Sequence, residues 1–488
     1  MTSLARNYWD DPQPRMSTQV SEISSRRSGL TRECRLYSLR ELARRAGVTA
    51  EFFRSWTVTF EEHQTTVCVH PAPPKYICFP HTCIDFRRQF PKSEIVVGRA
   101  SWMYAPVDSM KREVPDFIVP WVSDQGREKT PLFLAAGPGV VHCAFDLLSS
   151  LVFTLSRLEE TLTSQRDRHG RFPSAASIAN REQFLQRPIV DEYGLAFEQV
   201  LTHLLPAWRP EKRTLRVLIS HDIDHIGIPF SLREILGHAI RRHSPGAAAS
   251  DLLGVPFGAG PPTYLACAQQ LAEMELERGL DCEFYWKVSP PGQFDSGYDS
   301  FHPAARKVVS WLRKHGITNG VHPGYETFLN PDRLRSEVNQ FTQLLGPGPL
   351  GGRQHYLRWA HDTWLHWESC GLAYDSTIGY PDQGGFRAGT CVPYRPWLFF
   401  ANREANLLEI PLVLMDQILF PGSEQDSLGL VLQLLNRCRG VGGVFTLLWH
   451  NTAFVAPRHR RLYAAILDAV ANLEPKRLDR MKTYHGER

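Results

Sequence analysis

From Thr214 onward the chain alternates short, continuous apolar runs with text of helical period, and this alternation restricts the possible folds more than any other feature. The runs are LRVLIS, CEFYWKV, ITNGVH, LLEIPLVL and VFTLLWH. A short apolar run without polar alternation is the text of a strand buried on both faces, as parallel sheets require. Between the runs stand PPTYLACAQQLAEMELERG and FHPAARKVVSWLRKHG, whose apolar residues recur at helical intervals. Parallel strands need crossover connections, so this half is predicted to be α/β, a barrel or an open parallel sheet, with its chemistry at the C-terminal ends of the strands. SPGAAASDLLGVPFGAGPP, residues 244–262, reads as a flexible loop or insertion.

The chain has 488 residues, too many for one ordinary core, so several domains are expected. Its 43% hydrophobic and 22% charged residues exclude wholesale disorder and fibrous architectures. A net charge of +4 is too small to imply a nucleic-acid or anionic-membrane partner for the molecule as a whole. No apolar run approaches the length of a membrane span, and the N-terminus lacks the apolar stretch of a secretory signal, so a cytoplasmic location is expected. The 10 cysteines form no C-x-x-C pair and none of the usual structural zinc spacings, and they read as buried thiols.

Residues 1–33 hold few large apolar groups and read as a disordered tail. Over 34–60 the text YSLRELARRAGVTAEFFRSW predicts two short helices. Ser38 and Glu41 have capping-box spacing, Gly47 makes the turn, and Thr49 caps the second helix. The pair resembles the first two helices of MerR-like DNA-binding heads, with Arg40, Arg44, Arg45 and Arg54 suited to phosphate contacts, but a helical hairpin used purely for packing is the more frequent explanation of such a pattern and a nucleic-acid partner is not expected. Residues 61–213 are expected to form an α+β accessory domain. It comprises β-rich runs up to Gly139, a long helix over Ala144–Leu162, and a helix over Leu195–Leu205. This accessory region is expected to fold as its own unit and to supply no metal ligand. The catalytic domain is placed at 214–470 and a C-terminal tail at 471–488.

LRVLIS delivers Ser220-His221-Asp222-Ile223-Asp224-His225 at its C-terminal end. Residues two apart on a strand project to the same side, so Asp222 and Asp224 both reach one pocket. Two carboxylates that close suit different tasks, one as an anionic metal ligand and the other as a base for water whose pKa a cation has lowered. SHDIDH resembles the first motif of the polysaccharide deacetylase (NodB-homology) carbohydrate esterases, in an H-D-x-D variant. ITNGVHPGYE resembles that family's second motif, in which a strand ends in a metal-binding histidine, here His322. The motif's second histidine is replaced by Glu326, leaving Glu326 or His355 as third ligand, with His355 preferred because a third imidazole better fits zinc's usual set of N, O and S donors.

GGRQHYLRW followed by GLAYDST resembles the third region, where an arginine orients the basic carboxylate. Arg353 and Arg387 both match it. VFTLLWHN resembles the last motif and presents His450 as a proton donor to the leaving group. The SRLEE and DRHGRF text resembles an uncharacterised accessory domain that precedes some bacterial deacetylase domains.

The resemblance spans about 214–455 and implies a distorted (β/α) barrel of the NodB-homology type, after a smaller α+β region with a helix-turn-helix-like start. It further implies a divalent metal, zinc by ligand preference, held by Asp224, His322 and His355. Asp222 would be the base, Arg353 or Arg387 its partner, and His450 the acid. The implied reaction removes N-acetyl groups from an amino-sugar-containing glycan or glycan precursor. Tyr325, Tyr356, Trp359, Tyr380 and Trp449 stand near the motifs and suit stacking on sugar rings. The alternatives are hydrolysis of another C–N amide bond on the same fold, or a catalytically degenerate carbohydrate-binding module.

Overall fold

The computed structural model describes residues 30–69, 73–81, 97–102, 116–120, 130–227, 263–346 and 350–477. The expected insertion at 244–262, the tail up to residue 29 and the last residues from 478 lie outside the described residues.

The N-terminal region opens with the helix Arg32–Arg45, capped by Thr31, whose hydroxyl accepts from the Cys34 amide. The helix therefore starts about two turns before Ser38, which is buried mid-helix instead of capping it. Gly47 turns the chain with φ +79°, and Thr49 caps Ala50–Arg54 by accepting from the Phe52 amide. The pair does not stand out as a DNA-reading head. Arg45 donates to Asp191 at 2.8 Å and pairs with Glu41, Arg44 donates to Glu41 and the Pro393 carbonyl, and Arg40 pairs with Glu404. Leu39, Leu42 and Ala43 are buried, so the helix is wedged into the molecule and three of the four expected phosphate contacts are used internally.

Two small sheets follow. One has five strands in the order Thr57–Phe60, Gln64–Cys68, Tyr76–Pro80, Val140–Cys143, Phe133–Gly137. The other pairs Val97–Ser101 with Phe117–Pro120 and Thr130–Pro131. Phe197 on the helix Ile189–Leu204 meets Trp56, Phe79 and Phe133, which joins the hairpin, the sheet and the helix in one apolar interior. The long helix expected over Ala144–Leu162 is broken. It runs only over Leu147–Leu155, and Arg157 takes a left-handed φ of 54° before a 3₁₀ turn at Leu158–Thr161. The break lets Arg157 pair with Glu160 at 2.9 Å and reach Glu159.

The C-terminal half is a curled sheet whose main path has eight parallel strands: β1 Arg216–Ile223, β2 Cys282–Trp286, β3 Thr318–Val321, β4 Gly351–Gly352, β5 Tyr374–Asp375, β6 Leu408–Glu409, β7 Leu414–Met415 and β8 Val444–Leu448. A ninth short strand, Lys476–Arg477, pairs in parallel with the start of β1, so the stretch expected as a tail from 471 begins inside the sheet. The spatial order of the eight is β6-β5-β4-β3-β2-β1-β8-β7, the sequential order of a (β/α) barrel with its seam between β6 and β7. The run LLEIPLVL, expected as one strand, is split there into β6 and β7 by Pro411, which has no amide hydrogen for a ladder and whose carbonyl accepts from the Thr446 hydroxyl. The apolar interior continues from the N-terminal helices into the barrel's outer layer, so the two regions share a core. No helix of the described residues is long and apolar enough to cross a membrane, and the described cysteines form no disulfide.

Candidate active site

The register of the sheet sets the site. Ile223, Trp286, Val321 and Gly352 lie side by side as the last paired residues of β1 to β4. The next residue of each strand, Asp224, Lys287, His322 and Arg353, stands at one level of the C-terminal rim. Alternate residues face the same way, so Ser220, Asp222 and Asp224 share a side with Glu283, Tyr285 and Lys287 on β2. Gly351 makes room inside, because a Cβ there would lie 2.2 Å from the Tyr374 ring.

Asp224, His322 and His355 converge, with donor atoms all within 4.8 Å of one another. His322 Nε2 lies 3.3 Å and His355 Nε2 3.4 Å from Asp224 Oδ1. Both rings are held by their other nitrogen. His322 Nδ1 donates to the Arg353 carbonyl at 2.7 Å, and His355 Nδ1 donates to Asp295 at 2.8 Å. Each Nε2 is thereby left as a lone pair aimed at the shared space. Asp224 Oδ1 and His322 Nε2 are buried without a hydrogen-bond partner. A buried carboxylate oxygen and a buried imidazole nitrogen without assigned hydrogen-bond partners, beside a second imidazole, form a donor set that a divalent cation would satisfy. Burial would raise the Asp224 pKa, but His355 and His322 outweigh it and hold the carboxyl well below its ordinary range. The His355 pKa is raised although burial opposes it, because Asp224 and Asp295 face the ring. The same negative charge favours a cation at this locus.

His355 follows β4 in the 3₁₀ turn His355–Leu357, where Tyr356 and Leu357 both have left-handed backbones, φ 61° and 53°. Such a pair costs roughly 1–3 kcal/mol per residue. The His355 amide donates to the Pro323 carbonyl, and Arg171 from the N-terminal region donates to the Tyr356 carbonyl at 2.8 Å. Glu326 is exposed on the 3₁₀ turn Tyr325–Thr327 and is absent from the convergent group.

Asp222 is tied by Oδ1 to Arg353 Nη1 at 2.9 Å, and its Oδ2 lies 3.8 Å from His322 Nε2. Arg353 is itself fully engaged, by Ser220 and Ser376 and by the Tyr285 ring 5.1 Å away. Arg387, the second sequence candidate for this place, is elsewhere. Its guanidinium pairs bidentately with Glu160 at 2.9 and 2.7 Å, and Gly379 accepts from it. The SRLEE text and Arg387 thus meet in a buried clamp between the N-terminal region and the barrel.

His450 sits just past β8, its Nε2 3.8 Å from Asp224 Oδ2, while Nδ1 donates to Asp416 at 2.9 Å and its amide donates to the same carboxylate. Burial disfavours its charge, but Asp416, with Asp224 and Asp222 behind it, raises its pKa to about 10.

Residues 42–206 match the "Family of unknown function (DUF7033)", which lies wholly before the barrel. No curated protein matches the chain. Among solved structures, it is similar to the "putative polysaccharide deacetylase" of Mycobacterium smegmatis, at 17% identity and TM-score 0.36 over 54% of this chain and 86% of that one. It is similar to Puue allantoinase at 12% identity and TM-score 0.38, over 57% and 92%. It is similar to the "probable Polysaccharide deacetylase" of Pseudomonas aeruginosa PAO1 at 12% identity and TM-score 0.35, over 56% and 89%.

Three polar residues of the site were not singled out in the sequence. Lys287, Asp295 and Asp416 are all buried, with Lys287 Nζ 2.7 Å from Asp295 and 3.1 Å from His355 Nδ1. Lys287 carried a readable signal, since the apolar run CEFYW is followed at once by a charged residue, as β1 is followed by Asp224 and β3 by His322. Of the aromatics expected to stack on sugars, Trp359, Tyr380 and Trp449 are core residues, while Tyr356 is half-buried at the rim and Tyr325 is largely covered.

Proposed function

We propose that the barrel is a metal-dependent hydrolase acting on C–N bonds, and that it removes N-acetyl groups from an amino-sugar-containing glycan or glycan precursor. The observation that carries this reading is the convergence of Asp224, His322 and His355 around unpartnered buried donor atoms, with Asp222 and His450 flanking them on opposite supports. A divalent ion held by the three would polarise an amide carbonyl and make water acidic. The chain's own groups do the rest. Arg353 fixes Asp222 by Oδ1, which leaves Oδ2 as the atom that takes a proton from the attacking water. Asp416 keeps His450 charged at neutral pH, so that Nε2 delivers a proton to the departing nitrogen. The motif resemblance in SHDIDH, ITNGVH and VFTLLWHN supports an acetamido sugar over other amides.

The test uses two substitutions on one preparation. Asp222→Asn is expected to keep its metal, by elemental analysis, and to lower acetate release from N-acetylated oligosaccharides by roughly a hundred- to ten-thousand-fold. Asp224→Asn is expected to lose metal first, because it removes the anionic ligand. Absence of acetate release by the parent from every N-acetylated sugar tried, with metal bound, would refute the deacetylase reading and leave the other amides and the binding module.

A further inference from the structure

One side of the candidate site is built from outside the barrel. The loop Asp167–Arg171 of the N-terminal region is a tight, fully bonded turn. The Asp167 amide donates to the Arg171 carbonyl, Asp167 Oδ1 accepts from the amides of His169 and Arg171, and Gly170 takes φ +74°. It is fastened to the barrel at three points. Arg171 donates to the Tyr356 carbonyl, Arg358 donates to the His169 carbonyl at 2.9 Å, and His169 Nδ1 meets the Tyr325 hydroxyl at 3.2 Å. Its distance from the reacting centre is short. The His169 ring lies 4.6 Å from the Tyr356 ring, and Tyr356 lies 4.7 Å from the ring of His355, so one aromatic side chain separates the loop from a proposed metal ligand. Phe294, next to the His355 partner Asp295, closes the group at 5.2 Å from His169.

At the tip of this loop Arg168 is exposed. Its Nε donates to His169 Nε2 at 3.1 Å, a bond that requires an uncharged imidazole, and among the described residues it forms no ion pair with a carboxylate. The neighbouring cations differ. Arg171 is neutralised by Asp167 at 2.7 Å, and Arg358 lies over the Tyr325 ring at 3.9 Å with carbonyls on its nitrogens. An exposed guanidinium oriented by one nitrogen, on a loop packed against an aromatic rim, is a ready receptor for a carboxylate or phosphate.

We propose that the Asp167–Arg171 loop is a substrate-binding wall supplied by the N-terminal region, and that Arg168 takes an anionic group, carboxylate or phosphate, on the acetamido sugar or its neighbour. This rests on the deacetylase reading for the identity of the sugar, but the anion subsite is measurable without turnover.

The experiment is calorimetric titration of the full chain with N,N′-diacetylchitobiose (the neutral chitobiose probe), UDP-N-acetylglucosamine and an N-acetylmuramic acid disaccharide, alongside acetate release from each. At least one anionic probe is expected to bind ten-fold or more tighter than chitobiose, more weakly as salt is raised. In Arg168→Ala that preference disappears, with metal content and melting midpoint unchanged, and Arg168→Lys restores part of it. Which anionic probe responds separates phosphate from carboxylate. Equal binding of chitobiose and both anions by the parent, binding of none of them, or an anion preference that survives Arg168→Ala would each overturn the inference. If the preference depends on Arg168 while no probe releases acetate, the subsite stands and the deacetylase reading falls. Acetate release that is indifferent to Arg168 on every probe has the reverse meaning.

Discussion

Lys287 and Asp295 show how much of the site lies behind the ligands. Asp295 accepts from both Lys287 Nζ and His355 Nδ1, and burial of its carboxylate is outweighed by these two partners, which lower its pKa. Asp295→Asn is expected to reduce metal affinity about 10- to 100-fold, because an amide no longer fixes the tautomer and ring plane of His355. Competition with a fluorescent chelator measures it, and an unchanged affinity would place the ring under the control of the turn alone. Asp416 makes a second prediction at this scale. The His450 pKa, 6.5 ordinarily and about 10 in the fold, means that its charge contributes stability in full below about 6.5 and loses it as pH rises toward 10. In Asp416→Asn burial still disfavours the charge while its main support is gone, so the alkaline limb of the pH–rate profile should move to lower pH. A limb that stays in place would assign it to another group.

At the scale of elements, what could be read in the chain follows from where information is local. Strand ends in SHDIDH, ITNGVH and VFTLLWHN were legible because apolar run and polar terminus are adjacent in the text. Asp295 was not, since its meeting with His355 depends on how a loop after β2 folds back across the rim. Asp416 was hidden by Pro411, which breaks the apolar run so that β7 ends unannounced. Arg353 and Arg387 carried equal local text, and only the tertiary partners, Asp222 for one and Glu160 for the other, distinguish them. That difference is testable. Arg387→Met leaves Glu160 buried with fewer countercharges and should cost about 3–5 kcal/mol in urea unfolding, with metal content retained. A variant of unchanged stability but low turnover would return Arg387 to the chemistry.

The whole molecule depends on contacts between its two regions. Asp191 on the helix Ile189–Leu204 accepts from Arg45, Thr390 and the Cys391 amide, and Glu160 holds Arg387, so the 379–391 stretch of the barrel is built on N-terminal carboxylates. A chain starting at Thr214 would lose these carboxylates and expose the apolar surface that the barrel shares with the N-terminal helices, and it is expected to lack a cooperative thermal transition. A well-folded 214–488 fragment would show that these clamps are dispensable. The placement of the three proposed ligands has one more consequence. Asp224 follows β1, His322 follows β3 and His355 follows β4, so an ion bound among them is a clasp joining stretches of chain that are far apart in sequence. An unfolded chain holds no such clasp, and by linkage the folded state gains about 2.7 kcal/mol when free metal stands at 100 times its dissociation constant. The melting midpoint should therefore climb with the logarithm of free metal and fall under a chelator, which makes a heat-denaturation curve a measure of the ligand set independent of any substrate.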